Sequence, residues 1–270
     1  MLLAIDAGNT DTVVGLYDLD AVPADPVGTD SHARPEDGLI DHWRIATEAE
    51  RTGDELAVLL QGFLALRGFT LDDIDGMAVS SGVPRVKESL RLLADRYLEF
   101  DPVMIEPGVR TGIAILAENP KEVGADRIAN AVAAYDLFGG PTIIADFGTA
   151  TTCDAVSANG EYLGGAIAPG IGISMDALVG RAAALRAVEL VEPRSVLGKS
   201  TVECIQSGAV YGFAAQVDGL CERIQDELGD CTIVSTGGLA GLITPLSKYI
   251  ERCEPWLTLY GLRLVYEKNV

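Results

Sequence analysis

Two similar segments, one in each half of the chain, combine an aspartate, a glycine and small polar side chains in the same order. They run from Asp6 to Thr12 and from Asp146 to Thr152, each between an apolar run and a β-prone run. Glycine lets backbone N–H groups approach phosphate oxygens, hydroxyl and amide groups add donors, and the aspartate can hold a divalent metal on those oxygens. Either aspartate alone is equally typical of a simple turn cap. The repeat favours two phosphate-binding hairpins in a duplicated fold that binds one polyanion from both sides.

A third motif, Ser235 to Leu239, follows a short predicted strand and opens a predicted helix. Its paired glycines, Gly237 and Gly238, would let the chain pass close to a flat ligand such as adenine or ribose. Alone it is compatible with a plain strand-to-helix turn. After two Asp-x-Gly hairpins, it favours a nucleotide site.

An acid and a base, Asp126 and Arg127, stand side by side near a predicted helix start, with Ala129 and Ala133 expected to face the core. The helix dipole keeps a carboxylate ionised there and attracts anions. Asp126 could accept a proton from a substrate hydroxyl while Arg127 binds a polar or anionic group. A helix-start aspartate beside a solvated arginine explains this segment equally well, so both interpretations stay open.

The segment from Gly164 to Ser174 is too glycine-rich to predict a regular strand or helix. We expect its backbone to approach a ligand or a partner chain, and a tight strand-to-helix connection is compatible with that.

Two other patterns indicate no chemistry. Gly198-Lys199-Ser200 resembles the end of a P-loop, but Pro193 takes the place of its first glycine and no predicted strand closely precedes it. His32 falls in a predicted loop and His42 at a strand start, and neither has a serine or cysteine partner signature. We expect both histidines to be structural or solvated.

Hydrophobic periodicity places these motifs on a twice-repeated order of elements. The first half predicts strands over 2–6, 12–18, 42–46 and 74–80, an exposed loop over 20–38, a helix after a capping box at Thr52 to Glu55, and a helix over 86–97. The second half predicts strands over 142–145, 151–156, 162–167 and 232–235, a long helix over 201–228, and a helix after residue 238. The fold class is α/β, with two duplicated domains, 1–117 and 118–270, and a ligand cleft between them.

Composition excludes several classes of protein. The 270 residues are 48% hydrophobic and include no apolar stretch long enough to span a membrane and no basic leader, so we expect a cytoplasmic protein. Five scattered cysteines without a CxxC pair argue against a disulfide framework or zinc site and favour mostly buried thiols. A net charge of −20 repels nucleic acid and anionic membranes. An anionic substrate would need compensation from metal ions, helix N-termini and a few basic side chains.

Together these motifs resemble the ASKHA superfamily, which includes actin, heat-shock ATPases and sugar kinases, and within it the type III pantothenate kinases. The similar segments follow the family's order over nearly the whole chain: 6–10, 118–120, 124–127, 146–152, 164–170, 198–201 and 236–239.

The resemblance implies ATP-dependent phosphorylation of pantothenate at its primary hydroxyl, giving 4′-phosphopantothenate in the first step towards coenzyme A. The residues that it implies for ATP are Asp6, Ala7, Gly8, Asn9, Thr10, Asp11, Thr12, Val13, Thr149, Gly237 and Gly238. Those implied for pantothenate are Gly124, Ala125, Asp126, Arg127 and Thr201. It also implies that Asp126 is the general base, that Asp6 binds Mg²⁺ through the phosphates, and that Asp146 binds a monovalent cation, K⁺ or NH₄⁺. Thr201 would come from the neighbouring subunit of a homodimer.

The chain departs from the family pattern at two positions. Ala117 stands where the family often has a substrate-contacting tyrosine, and Asp11 stands where a neutral side chain is common. Neither position carries the chemistry.

Two alternative functions remain open: a regulatory accessory protein on the same fold, and another small-molecule kinase of the superfamily. Fold alone does not decide between them. The presence of Asp6, Asp126, Arg127 and Asp146 together favours an enzyme, because a binding protein has no need of all four.

Overall fold

The computed structural model describes residues 1–21, 34–182 and 185–270. The chain forms two compact units that interleave along the sequence. The first comprises Met1–Ala114, Glu118–Leu137 and Trp256–Val270, and the second comprises Ile115–Ala117 and Phe138–Pro255. The division into two duplicated domains at residues 117 and 118 remains a prediction. Most of the predicted loop over 20–38, with His32, lies outside the described residues.

The first unit contains a five-stranded sheet in the order β3-β2-β1-β4-β5. Its strands are β1 (Leu2–Ala7), β2 (Asp11–Tyr17), β3 (Leu39–Ala46), β4 (Gly76–Ser81) and β5 (Val103–Met104). Central β1 pairs antiparallel with β2 and parallel with β4. The four longer strands were predicted, because short apolar or β-prone runs mark them in the sequence.

One face of this sheet is covered by α1 (Gly53–Ala65) and α2 (Pro84–Leu93), which continues as a π-helical turn over Ala94–Leu98. Leu3 and Ile5 of β1 pack with Leu60 and Leu90 of these helices. The predicted capping box is confirmed, since Thr52 Oγ1 accepts the Glu55 N–H and the Glu55 carboxylate accepts the Thr52 N–H. This reciprocal pair satisfies donors that a helix start would otherwise leave exposed.

The second unit is built on a six-stranded sheet in the order β11-β10-β7-β8-β9-β6. Its strands are β6 (Ala114–Ile115), β7 (Thr142–Phe147), β8 (Ala150–Val156), β9 (Glu161–Pro169), β10 (Thr232–Thr236) and β11 (Arg252–Cys253). The adjacent helices are α4 (Ile171–Arg181), α5 (Thr201–Leu228) and α6 (Ala240–Ile243). Long helix α5 packs Val210 and Val217 into a core with Ile143 of β7. Cys153, Cys221 and Cys231 are buried thiols, as predicted for most cysteines.

The expectation of irregular backbone from Gly164 to Ser174 was wrong. Residues Gly164 to Pro169 continue β9, and α4 begins at Ile171. The glycines permit close approach between neighbouring backbones, because a Cβ at Gly165 would lie 2.1 Å from the Cys153 carbonyl oxygen. A Cβ at Gly170 would lie 2.3 Å from the Thr149 carbonyl oxygen. The alternative, a tight strand-to-helix connection, is confirmed.

The last helix of the chain, α7 (Leu257–Glu267), was not predicted. It contacts β1 and β4 and also lies against α3 (Ala125–Phe138), the helix that begins at the Asp126 segment. The contact is made at Gly261, where a Cβ would lie 2.0 Å from the Ala129 carbonyl oxygen. Thr258 Oγ1 donates to Asn130 Oδ1 at 2.8 Å beside it. The position of α3 therefore depends on Gly261 of α7, which has no side chain.

We expect Gly261→Ala to lower the free energy of unfolding by at least about 2 kcal/mol, because the added methyl group overlaps the α3 backbone. Gly62→Ala is the matched control, since Gly62 lies inside α1 and its Cβ would meet no atom within 4 Å. That substitution should raise the unfolding free energy by about 0.5–1 kcal/mol, because alanine favours the helix. Urea unfolding of both variants measures the difference, and equal stability of the two would contradict the close contact.

Candidate functional site

The first Asp-x-Gly segment forms a tight hairpin at the end of β1. The Gly8 N–H donates to the Asp11 carbonyl oxygen at 3.0 Å, which closes the turn. Asp6 is half-buried next to the last residue of β1, whereas Asn9 and Thr10 in the turn are exposed. A carboxylate at a strand end next to exposed donors is an arrangement that can accommodate a metal–phosphate group.

Two residues of this hairpin already have side-chain partners. Asp11 Oδ2 lies 3.3 Å from Arg44 Nη1 of β3, and both side chains are about half exposed. This ion pair offsets the extra negative charge that Asp11 brings to the turn, although such exposed pairs contribute little to stability. Thr12 is buried, and its hydroxyl lies 2.8 Å from that of Thr47. The Thr12 side chain therefore supports the hairpin from inside.

The second Asp-x-Gly segment repeats this geometry in the other unit. The Gly148 N–H donates to the Ala150 carbonyl oxygen at 3.1 Å, so the turn between β7 and β8 is one residue shorter than the first. Asp146 again occupies the penultimate position of its strand, opposite Thr152 of β8 and Thr236 of β10, while Thr149 is exposed in the turn. Each unit thus has an aspartate at the penultimate position of a central strand.

The predicted glycine pair lies against this second aspartate. Gly237 has φ of +94°, and a Cβ there would lie 2.4 Å from Asp146 Oδ1. Leu239 N–H donates to the Phe147 carbonyl oxygen at 3.3 Å, which holds the turn over the end of β7. The missing side chain at position 237 therefore lets the turn pack closely against the carboxylate. Gly237, predicted to bind ATP, and Asp146, predicted to bind a monovalent cation, are thus adjacent.

The Asp126 segment forms the first turn of α3. Gly124 carbonyl accepts the Ile128 N–H at 3.1 Å, and Asp126 Oδ1 accepts the Arg127 N–H at 2.9 Å. A Cβ at Gly124 would lie 2.4 Å from that same oxygen, so glycine makes room for the carboxylate. Asp126 is exposed, whereas Ala129 and Ala133 are buried as predicted. An oriented, exposed carboxylate can reach a substrate hydroxyl.

The predicted site residues divide between the two units. Those around Asp6 and Asp126 belong to the first unit, and Asp146, Thr149, Gly237, Gly238 and Thr201 belong to the second. Thr201 is exposed at the first position of α5, after the N-cap Ser200. Described residues 185–200 contain no strand leading into Gly198 to Ser200.

Three further observations add no site. The His42 ring centroid lies 3.9 Å from that of Trp256, a packing contact in line with the structural role expected for it. Within residues 1–21, 34–182 and 185–270, no group of three or more His, Cys, Asp or Glu side chains is placed to hold a metal. Over the same ranges no helix has the length and apolarity to cross a membrane.

Sequence reasoning missed Arg44, which pairs with Asp11. The two residues are far apart in the chain, and only the antiparallel register of β2 with β3, in which Val13 faces Arg44, brings them near each other. No local pattern signals such a pair.

Comparison with known proteins identifies the family. A model described as type III pantothenate kinase matches residues 2–223. A type III pantothenate kinase from Streptomyces griseus is 54% identical, covering 100% of this chain and 99% of the relative.

Solved structures agree on the fold. A Baf family protein from Campylobacter jejuni has a TM-score of 0.58 at 17% identity and covers 99% of this chain and 98% of its own. Component A of (R)-2-hydroxyglutaryl-CoA dehydratase from Acidaminococcus fermentans has a TM-score of 0.56 at 13% identity, with 99% and 98% coverage. At these identities the structures show the fold alone, which is the predicted ASKHA class. By its sequence over the full length, this chain belongs to the type III pantothenate kinase family.

Proposed function

We propose that the chain transfers the γ-phosphoryl group of ATP to the primary hydroxyl of pantothenate, giving 4′-phosphopantothenate for coenzyme A synthesis. The observation that carries this function is the full-length similarity to type III pantothenate kinases. The two hairpins and the α3 start supply groups of the kinds that the reaction needs. We place the reaction in the cytoplasm, where its ATP is found.

In this proposal the Asp6 hairpin binds the ATP phosphates together with Mg²⁺. Phosphoryl transfer depends mainly on positioning and charge neutralisation. The half-buried Asp6 carboxylate suits Mg²⁺, which prefers oxygen ligands and usually keeps water and phosphate oxygens around it. Exposed Asn9 and Thr10, with the backbone of Ala7, Gly8 and Asp11 to Val13, would border the phosphates. Thr149, Gly237 and Gly238 are the further residues that we propose for ATP binding.

Asp126 is the proposed general base. Its Oδ1 accepts the Arg127 N–H at 2.9 Å, so we assign the substrate proton to Oδ2. Arg127 would bind an anionic or polar group of pantothenate, and Gly124 and Ala125 would line the same site. The hydroxyl loses its proton to Asp126 as its oxygen attacks the γ-phosphorus and ADP leaves.

The proposed monovalent-cation site lies at Asp146. A Cβ at Gly237 would lie 2.4 Å from Asp146 Oδ1 and 2.7 Å from the Phe147 backbone, so glycine lets the turn approach this carboxylate, whose oxygens are the proposed donors. Oxygen donors of this kind fit K⁺ or NH₄⁺. A cation bound there would add fixed positive charge to a protein whose net charge is −20.

A homodimer is proposed from exposed apolar side chains concentrated in the second unit. Leu197 is 78% exposed, Ile167 65% and Val196 59%, and Ile173, Leu178 and Val202 are exposed as well. Such clusters are typical of protein interfaces, and a two-fold dimer is the commonest symmetric assembly. Thr201 lies in this region, which supports its proposed contribution to the site of the neighbouring subunit.

A regulatory role on the same fold is the main alternative. The Campylobacter jejuni structure is described as a transcriptional activator, but at 17% identity it shows the fold alone. Another small-molecule substrate is the second alternative. Substrate-dependent ATP turnover distinguishes all three functions.

We expect Asp126→Asn to lower pantothenate-dependent turnover on the order of a hundredfold or more, because it removes the positioned base. A coupled assay of ADP release with Mg²⁺ and K⁺ measures the effect. Asp72→Asn, an exposed aspartate in another helical first turn, is the control and should retain full activity. No pantothenate-dependent turnover in the folded unmodified protein would contradict the kinase assignment.

We expect K⁺, but not Na⁺, to raise both turnover and the melting temperature, and Asp146→Asn to abolish both responses. The physical reason is that the neutral amide removes the charge that attracts the cation. Thermal unfolding in the two salts gives a readout independent of catalysis. A K⁺ response that survives in Asp146→Asn would place the cation elsewhere.

We expect Leu197→Asp to convert the dimer into monomers, because it places a charge in the proposed interface. Leu66→Asp is the matched control, since Leu66 is 75% exposed in the first unit. Light scattering at a fixed concentration measures the state of both variants. Monomers in the unmodified protein would contradict the proposal that two subunits share a site.

A further inference from the structure

The segment of residues 189–200 has no helix or strand, yet side chains of α5 fix it along that helix. Three hydrogen bonds hold its backbone carbonyl groups: Gln206 Nε2 to Glu189 at 2.9 Å, Ser207 Oγ to Val196 at 2.7 Å, and Tyr211 OH to Pro193 at 3.4 Å. Both Gln206 and Ser207 are buried. The approach to Thr201 is therefore an ordered structure built by the helix that Thr201 begins.

Among the α5 side chains that bind this segment, Glu203 makes the most hydrogen bonds. Its Oε1 accepts from Arg194 Nε at 3.1 Å and Nη2 at 2.6 Å, while its Oε2 accepts the Lys199 N–H at 3.0 Å. The Glu203 side chain is only 19% exposed, whereas that of Arg194 is 90% exposed. The Arg194 guanidinium, followed by the Lys199 N–H, lowers the pKa of the Glu203 carboxyl from its usual value. The carboxyl is thus ionised at neutral pH.

The backbone before Thr201 also packs directly on the helix. A Cβ at Gly198 would lie 2.5 Å from the Cys204 nitrogen and 2.6 Å from the Glu203 carbonyl carbon. Ser200 Oγ accepts the Glu203 N–H at 3.2 Å. Glu203 consequently binds both residues that precede Thr201: Lys199 through its carboxylate and Ser200 through its amide.

We propose that Glu203 is a positioning residue of the pantothenate site, which fixes the turn over Gly198 to Ser200 and with it the direction of the Thr201 hydroxyl. This inference rests on the proposed contact of Thr201 with pantothenate. Hydrogen bonds to an ionised carboxylate are shorter and stronger than neutral ones, so they hold a turn in one conformation. Substrate binding then does not have to supply the free energy that orders this turn.

The test compares Glu203→Gln with Glu222→Gln. The first keeps the shape of the side chain but removes the charge that holds Arg194. The second makes the same change elsewhere on α5, where Glu222 accepts from Tyr249 at 3.2 Å. We expect Glu203→Gln to raise the KM for pantothenate on the order of tenfold, with kcat and the KM for ATP unchanged. Glu222→Gln should change none of these.

Hydrogen exchange of a peptide covering residues 195–202 reports the turn itself. It should exchange at least roughly tenfold faster in Glu203→Gln and at the normal rate in Glu222→Gln. Arg194→Met, which removes the same ion pair from its exposed side, is the second variant if Glu203→Gln folds poorly. In a Thr201→Val background, Glu203→Gln should cause no further rise in the pantothenate KM.

The outcomes separate this inference from the function on which it rests. If Thr201→Val raises the KM but Glu203→Gln changes neither the KM nor the exchange, the positioning role is overturned and the Thr201 contact stands. If Glu203→Gln raises the KM equally with and without Thr201, Glu203 acts through another group and the inference also fails. If Thr201→Val leaves the KM unchanged, the proposed Thr201 contact is itself wrong, and Glu203 has only a structural role.

Discussion

The first unit depends on one contact between helix backbones. Because Gly261 has no side chain, α7 can lie against the Ala129 carbonyl of α3, and the same helix packs on the central strands β1 and β4. The helix that carries Asp126 and the strand that carries Asp6 are therefore both fixed by α7. The proposed base, which would have to meet a substrate hydroxyl within hydrogen-bond distance, needs such rigid support.

Space left by an absent side chain recurs at the predicted site. Gly237 leaves room for the Asp146 carboxylate, Gly124 leaves room for that of Asp126, and Gly170 lets α4 begin against the second turn. In each case a Cβ would come within 2.4 Å of an oxygen atom. Each of these glycines lets another group of the protein approach its backbone closely, and the backbone around them is mostly regular.

Much of the fold could be predicted from local patterns. The hairpins, the capping box at Thr52 and the long helix after Ser200 follow from periodicity and end signals that lie within a few residues. Helix α7 was not predicted, and most of its residues, including Tyr260 and Arg263, are buried in the first unit. The glycines of β9 were misread because the meaning of a glycine depends on the strand beside it. The partners of Asp11 and Glu203 depend on register and loop packing, which no local pattern reveals.

The interleaving of the two units has a consequence for biosynthesis. Nearly all of the second unit is contiguous, from Phe138 to Pro255, so its sheet can form as soon as that stretch has left the ribosome. The first unit begins with the first strand but lacks its α7 layer until residues 257–267 have been made. During translation, the apolar face of β1 and β4 therefore stays exposed until the second unit has been synthesised. The earliest strand of the chain is thus among the last to be covered, and a nascent chain stalled before α7 leaves that apolar face exposed.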